Sequence, residues 1–147
     1  MKVLVLTRYC FMGASSRMRF LQYMPWLDLA SWIYDIEPFF TNEVLLRRYS
    51  RGSYKLGEIL HAYVKRLTRM ASLRQYDLVW IEKEALPWVP ASLEQWLLRG
   101  VPYVLDFDDA VFHYYDLHPS GIVRKLFGRR LDRLMNGARL VIAGNEY

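Results

Sequence analysis

Lys2-Val3-Leu4-Val5-Leu6-Thr7 is followed at once by Arg8-Tyr9-Cys10-Phe11-Met12-Gly13-Ala14-Ser15-Ser16-Arg17-Met18-Arg19. The first six residues form a short, unbroken apolar run, the pattern of a strand buried on both faces. The next twelve form a turn that feeds a helix. Ser15 or Ser16 can cap that helix, which should run to about residue 30 with Phe20, Leu21, Met24 and Leu27 on one face. Pro25 lies inside it and predicts a kink or a break.

The same alternation continues down the chain. Residues 32–38, 78–82, 101–106 and 140–143 read as further strands, and 42–52, 90–99 and 119–136 as helices. Between 54 and 74 one helical stripe carries Leu56, Ile59, Leu60, Tyr63, Leu67 and Met70, with Lys55, Lys65 and Arg69 opposite. In 119–136 the inward stripe is Val123, Leu126, Phe127, Leu131 and Leu134. Gly100 and Gly137 end their helices. Five strand–helix alternations predict an α/β fold, a Rossmann-like doubly wound parallel sheet of about five strands in the order 3-2-1-4-5. The last strand is followed by only a few residues, so we expect residues 1–147 to be one domain of a truncated, longer protein.

At 147 residues, 53% hydrophobic and 24% charged, the chain can build a sizeable core and is not disordered. Its single cysteine, Cys10, excludes an internal disulfide and any multi-cysteine zinc site, and fits a reducing, cytoplasmic setting. No apolar run approaches the ~20 residues of a membrane span. The net charge of +5 conceals a pattern: the balance is +7 over residues 1–75, −6 over 76–118 and +4 over 119–147.

In open α/β sheets, ligands bind outside the carboxyl ends of the strands. That rule selects 8–19, 38–41, 82–86, 106–113 and 144–146. In the first segment Gly13, Ser15, Ser16, Arg17 and Arg19 are candidates for an anion at a helix start. Only one glycine is present, so neither a dinucleotide fingerprint nor a P-loop is available, and NAD and FAD are not expected. In the fourth segment Asp106-Phe107-Asp108-Asp109 brings three carboxylates into four residues, and His113 follows. Their repulsion needs a proton, a cation or a metal to offset it. A divalent cation, an aspartyl nucleophile, a solvated loop with a capping aspartate, and a substrate-binding or general-base role all remain open. Glu82 ends the third strand, and Asn145 and Glu146 follow the fifth.

Several stretches, in this order, resemble one family. They are Gly13-Ala14-Ser15-Ser16-Arg17-Met18-Arg19, Tyr76-Asp77-Leu78-Val79-Trp80, Val101-Pro102-Tyr103-Val104-Leu105-Asp106-Phe107-Asp108-Asp109-Ala110 and Leu140-Val141-Ile142-Ala143-Gly144-Asn145. Together they look like the N-terminal domain of GT-B glycosyltransferases, the family 4-like (glycosyl transferases group 1) enzymes. The resemblance implies transfer of a sugar from a nucleotide-sugar donor to an acceptor hydroxyl, in a cleft between two Rossmann-like domains. The nucleotide sugar is a co-substrate; no cofactor and no metal are implied. The second, donor-binding domain is not in this sequence, so the fragment alone is expected to be inactive.

On that resemblance, Asp108, Asp109 and His113 would orient or deprotonate the acceptor. Gly13, Ser15, Ser16, Arg17, Arg19, Glu82, Asp106, Asn145 and Glu146 would bind substrate. The alternative is a non-catalytic nucleotide- or polyanion-binding Rossmann-like module, suggested by the balance of +6 over residues 42–74. Nucleic acid is not an expected partner. Arg124, Lys125, Arg129, Arg130 and Arg133, beside Phe127, suggest peripheral contact with an anionic inner membrane face.

Overall fold

Five parallel strands carry the molecule: β1 (Lys2–Tyr9), β2 (Ile33–Phe40), β3 (Leu78–Glu82), β4 (Tyr103–Phe107) and β5 (Leu140–Ala143). The structure, a computed structural model, describes residues 1–144. Asn145 and Glu146 lie outside the described residues.

The strand order is β2-β1-β3-β4-β5, which corrects the expected 3-2-1-4-5. The third strand pairs with the first, Val5 opposite Trp80, on the side away from β2. Composition explains why. An interior strand must be apolar on both faces, as Leu78-Val79-Trp80-Ile81 is. The second strand carries Asp35, Glu37 and Pro38, and a proline without an N–H belongs on an edge. The chain therefore turns back across β1, and the switch point lies between β1 and β3. Strands β1 and β4 are separated by β3, not neighbours as expected.

Crossover handedness then sorts the helices. The step from β1 out to β2 places α1 (Ala14–Arg19) and α2 (Met24–Leu29) on one face, where Phe20, Met24 and Leu27 pack on Val3 and Val5. After β2 comes α3 (Asn42–Arg51), and then three steps in the opposite direction fill the other face. These bring α4 (Leu56–Met70), α5 (Ala91–Leu97), α6 (His113–Asp116), α7 (Gly121–Phe127) and α8 (Arg130–Gly137). Met70, Leu98, Leu131 and Leu134 there bury Leu4, Leu6, Val79, Ile81 and Leu105.

Two of the three long expected helices are divided. A 3-10 turn at Leu21–Tyr23 separates α1 from α2, and Pro25 stands in the first turn of α2, where its missing N–H costs no bond. Gly128 and Arg129 separate α7 from α8; Leu131 and Leu134 are buried but Leu126 is exposed. The stripe on α4 is also rotated. Leu56, Leu60 and Leu67 face outward, whereas Ala62, Arg66 and Met70 are buried. Arg66 belongs inside because its Nη2 donates to the Thr7 and Glu37 carbonyls at 2.9 and 3.0 Å, closing the ends of β1 and β2. Burial pushes its pKa down to about 10, which leaves it charged at neutral pH.

Arg130, expected on a basic surface, is 2% exposed. It pairs with Glu94 at 2.5 Å and with Glu84, and donates to the Leu86 and Val89 carbonyls. Among the described residues, no helix is long and apolar enough to cross a membrane.

Candidate functional site

The carboxyl ends of β1, β3 and β4 meet the start of α1 at one rim. Glu82, the last residue of β3, is buried there. Its Oε2 accepts the Arg8 backbone N–H at 2.7 Å and the Ser16 hydroxyl at 2.6 Å. Ser16 in turn accepts the Tyr9 N–H at 3.0 Å. Ser15 Oγ lies 2.6 Å from Glu82 Oε1 and 2.5 Å from Asp108 Oδ2; with a single proton it donates to one carboxylate at a time. So the first loop does meet the aspartate loop, reaching across β3 through Glu82.

The three aspartates are offset by cations of the chain itself. Arg19 holds buried Asp106 through Nε at 2.7 Å and Nη2 at 2.5 Å. Burial nevertheless raises the Asp106 pKa against the pull of Arg19. Lys83 Nζ lies 2.8 Å from Asp108 Oδ1 and 3.4 Å from Asp109 Oδ2. Burial works to raise the Asp108 pKa, but hydrogen bonds from Lys83 and Ser15 outweigh it and hold the carboxyl below its usual range. Burial likewise works to lower the Lys83 pKa, and Asp108 and Glu82 overcome it, so the ammonium is held charged. Lys83 reaches this position with φ +64, a left-handed backbone uncommon for a non-glycine residue, directly after the strand. Among the described residues, no group of three or more His, Cys, Asp or Glu is placed to hold a metal ion.

The remaining expected residues are dispersed. Asp109 is largely exposed. His113 opens α6, with Nδ1 3.0 Å from Asp116 Oδ1 and its ring against Phe112. Arg17 donates to the Phe11 carbonyl at 3.2 Å. Gly13 has an ordinary extended backbone and precedes a helix of only six residues. What requires glycine there is Tyr9: a Cβ at position 13 would come within 2.9 Å of the Tyr9 Cγ.

On the other side of Lys83, at the switch point, a crevice of about 340 Å³ opens. Its aromatic walls are Tyr9, Tyr54, Trp88, Tyr114 and Tyr115, and its charged lining is Arg8, Arg48, Lys83 and Glu84. Tyr9 and Tyr54 hydroxyls stand 3.1 Å apart, and Arg48 Nη1 donates to Tyr54 at 2.9 Å. Glu84 accepts from the Tyr115 hydroxyl at 2.8 Å and is paired to Arg130 beneath. Trp88 has φ +59 and stands edge-on to Tyr115 at 5.0 Å.

Among the described residues, Asp108, Asp109 and His113 do not line this crevice; the first two border a smaller cavity of about 90 Å³. A groove of about 390 Å³ lies over Arg19, Asp106 and Trp80, but its two charges are already joined to each other. Position at the switch point, an aromatic lining and an excess of cations favour the aromatic crevice as the place a ligand binds. Sequence reasoning reached Tyr9 and Lys83 only as neighbours of candidates. It had no means of reaching Arg48 or Tyr54, which come from segments far from the strand ends they meet. No protein-family model matches the chain, and no curated protein does.

Proposed function

We propose that this chain is the acceptor-side domain of a glycosyltransferase that uses a nucleotide-sugar donor, and that the acceptor binds in the crevice at the switch point. The observation that carries this is the crevice lining. Aromatic faces pack against the C–H faces of a sugar ring, while tyrosine hydroxyls and arginines bond its hydroxyls. A volume of about 340 Å³ suits one monosaccharide-sized group. The motif succession supports the family assignment, and the Rossmann-like sheet agrees with it.

The acid rim would then serve as framework. Asp108, fixed between Ser15 and Lys83, positions the loop that leads to Tyr114 and Tyr115. Asp109 and His113 do not line the crevice, so as proton acceptors they would serve only an acceptor hydroxyl that projects beyond it. Glu82 and Ser16 are spent on internal bonds, and so hold the first loop instead of touching substrate.

The polyanion-binding alternative weakens on the same geometry. Of the basic residues over 42–74, Arg47 is paired to Glu58, Lys65 to Glu37 and Arg69 to Asp35, and Arg66 is buried. A membrane-facing surface on α7 and α8 would retain Arg124, Lys125, Arg129 and Arg133 beside exposed Ile122 and Leu126, without Arg130.

The test is an NMR titration of the 147-residue chain with methyl glycosides of common hexoses. Shifts at the Trp88 indole and around Tyr114 support acceptor binding. Shifts confined to other surfaces, or none at millimolar sugar, refute it. Turnover of a nucleotide sugar by residues 1–147 alone would refute the division of labour, in which a separate domain holds the donor.

A further inference from the structure

Nine residues of the crevice are aromatic or charged, and the charges do not cancel. Lys83 is neutralised by Asp108 and Asp109. Glu84 is neutralised from below by Arg130 and by the Tyr115 hydroxyl. That leaves Arg8 and Arg48.

The Arg8 guanidinium lies over the Phe39 and Phe40 rings at 5.7 and 5.8 Å, and its nearest carboxylate oxygen among the described residues is Glu84 Oε1 at 3.9 Å, beyond hydrogen-bond reach. Arg48 lies over the Tyr54 ring at 4.8 Å and spends one N–H on that hydroxyl. Among the described residues, neither guanidinium hydrogen-bonds a carboxylate. The tyrosines add one more donor. Tyr9 and Tyr54 own two phenolic protons, and their mutual bond uses one, so the other is available to a ligand.

We propose that the acceptor bound in this crevice is anionic, a sugar ring bearing a carboxylate or a phosphate that Arg8 and Arg48 grip. The proposal rests on the acceptor assignment above and specifies its substrate class. Two fork-shaped cations and a phenol line one crevice with N–H and O–H donors to spare beyond the Arg48–Tyr54 bond, which is what a multi-oxygen anion completes. The aromatic faces of Trp88 and Tyr114, 47% and 69% exposed, remain for the ring. Holding each guanidinium over an aromatic ring keeps its orientation fixed while the crevice is empty, so little ordering is left for binding to impose.

The experiment is calorimetric titration of the 147-residue chain at low salt with glucose 6-phosphate, glucuronate, methyl glucoside and inorganic phosphate. At least one of the two anionic sugars should bind about tenfold or more tightly than methyl glucoside, and which of them does identifies the anion. That advantage should vanish in Arg8→Gln and in Arg48→Gln, with circular dichroism reporting an unchanged fold. Inorganic phosphate should bind more weakly than the phosphosugar. Equal affinity for charged and neutral sugars overturns the proposal and leaves the acceptor assignment standing. A charge preference that survives both variants, or phosphate binding as tightly as glucose 6-phosphate, also overturns it. Failure of every sugar to bind removes the acceptor assignment as well.

Discussion

The two sides of the switch point are both rich in charge, yet they are built on opposite plans. On the acid side the carboxylates of Glu82, Asp106 and Asp108 are each engaged by Ser15, Ser16, Arg19 or Lys83. On the aromatic side Arg8 and Arg48 line a cavity in which, among the described residues, neither hydrogen-bonds a carboxylate. The comparison teaches that a dense acidic motif marks architecture when cations of the same chain complete it. A sparser set of charges becomes a recognition surface when nothing completes it. Substitutions should therefore unfold the first side and disable the second.

The largest effect is expected beneath the crevice. Arg130→Met strands Glu84 and Glu94 without their cation and should cost about 3–5 kcal/mol, seen as a large fall in the urea midpoint. Next comes Glu82→Ala, which leaves the Arg8 N–H and the Ser16 hydroxyl without an acceptor while Ser15 keeps Asp108; a loss of about 2–3 kcal/mol is expected in the same measurement.

The pH dependence sharpens the same contrast. Burial pushes the Glu94 pKa up to about 7, with Arg130 and the Ala85 N–H only partly opposing it. A carboxyl whose pKa is higher folded than unfolded binds more protons in the native state. Its contribution is complete below about pH 4.5 and is lost as the pH rises to about 7. Stability should therefore decline across that interval, and Glu94→Gln should flatten the decline. A wild-type curve that instead rises from pH 5 to 7, with Glu94→Gln unchanged in slope, would show that Arg130 dominates the site.

Gly13→Ala joins the two sides, since the added methyl collides with Tyr9, a wall of the crevice. Overpacking of about 1–3 kcal/mol is expected, together with a shifted Tyr9 ring signal. Smallest is Arg48→Gln at an exposed position, which should change stability by no more than about 0.5 kcal/mol. A large destabilisation there would mean that Arg48 is framework too, and the contrast would collapse.

The strands were legible because each is a short apolar run ended by a polar residue, and their parallel arrangement followed from the alternation with helices. Their order was not, because the handedness rule constrains the crossover without saying on which side of β1 the third strand lies. Asp35, Glu37 and Pro38 did hold that information, as marks of an edge strand. The turn of α4 was misjudged for a comparable reason. A hydrophobic stripe cannot register Arg66, whose place inside is set by two carbonyls at the ends of distant strands. The meeting of Gly13–Arg19 with the aspartate loop was legible from the carboxyl-end rule. The crevice was not: Tyr9, Arg48, Tyr54, Trp88 and Tyr114 share no local pattern and become neighbours only once β3 is in place.

The position of β3 also has a consequence in time. The pairing of β1 with β2 spans about thirty residues, but β1 with β3 spans about seventy-five. As the chain leaves the ribosome, Leu4 and Leu6 wait for Val79 and Ile81 before their face of the sheet is sealed. Through that interval the nascent chain holds an unpaired strand edge at the centre of the future sheet, the arrangement most open to wrong partners. Assembly thus proceeds outward from a gap that is filled late, and a pause in synthesis before residue 82 would leave the hydrophobic seam of the sheet exposed to chaperones.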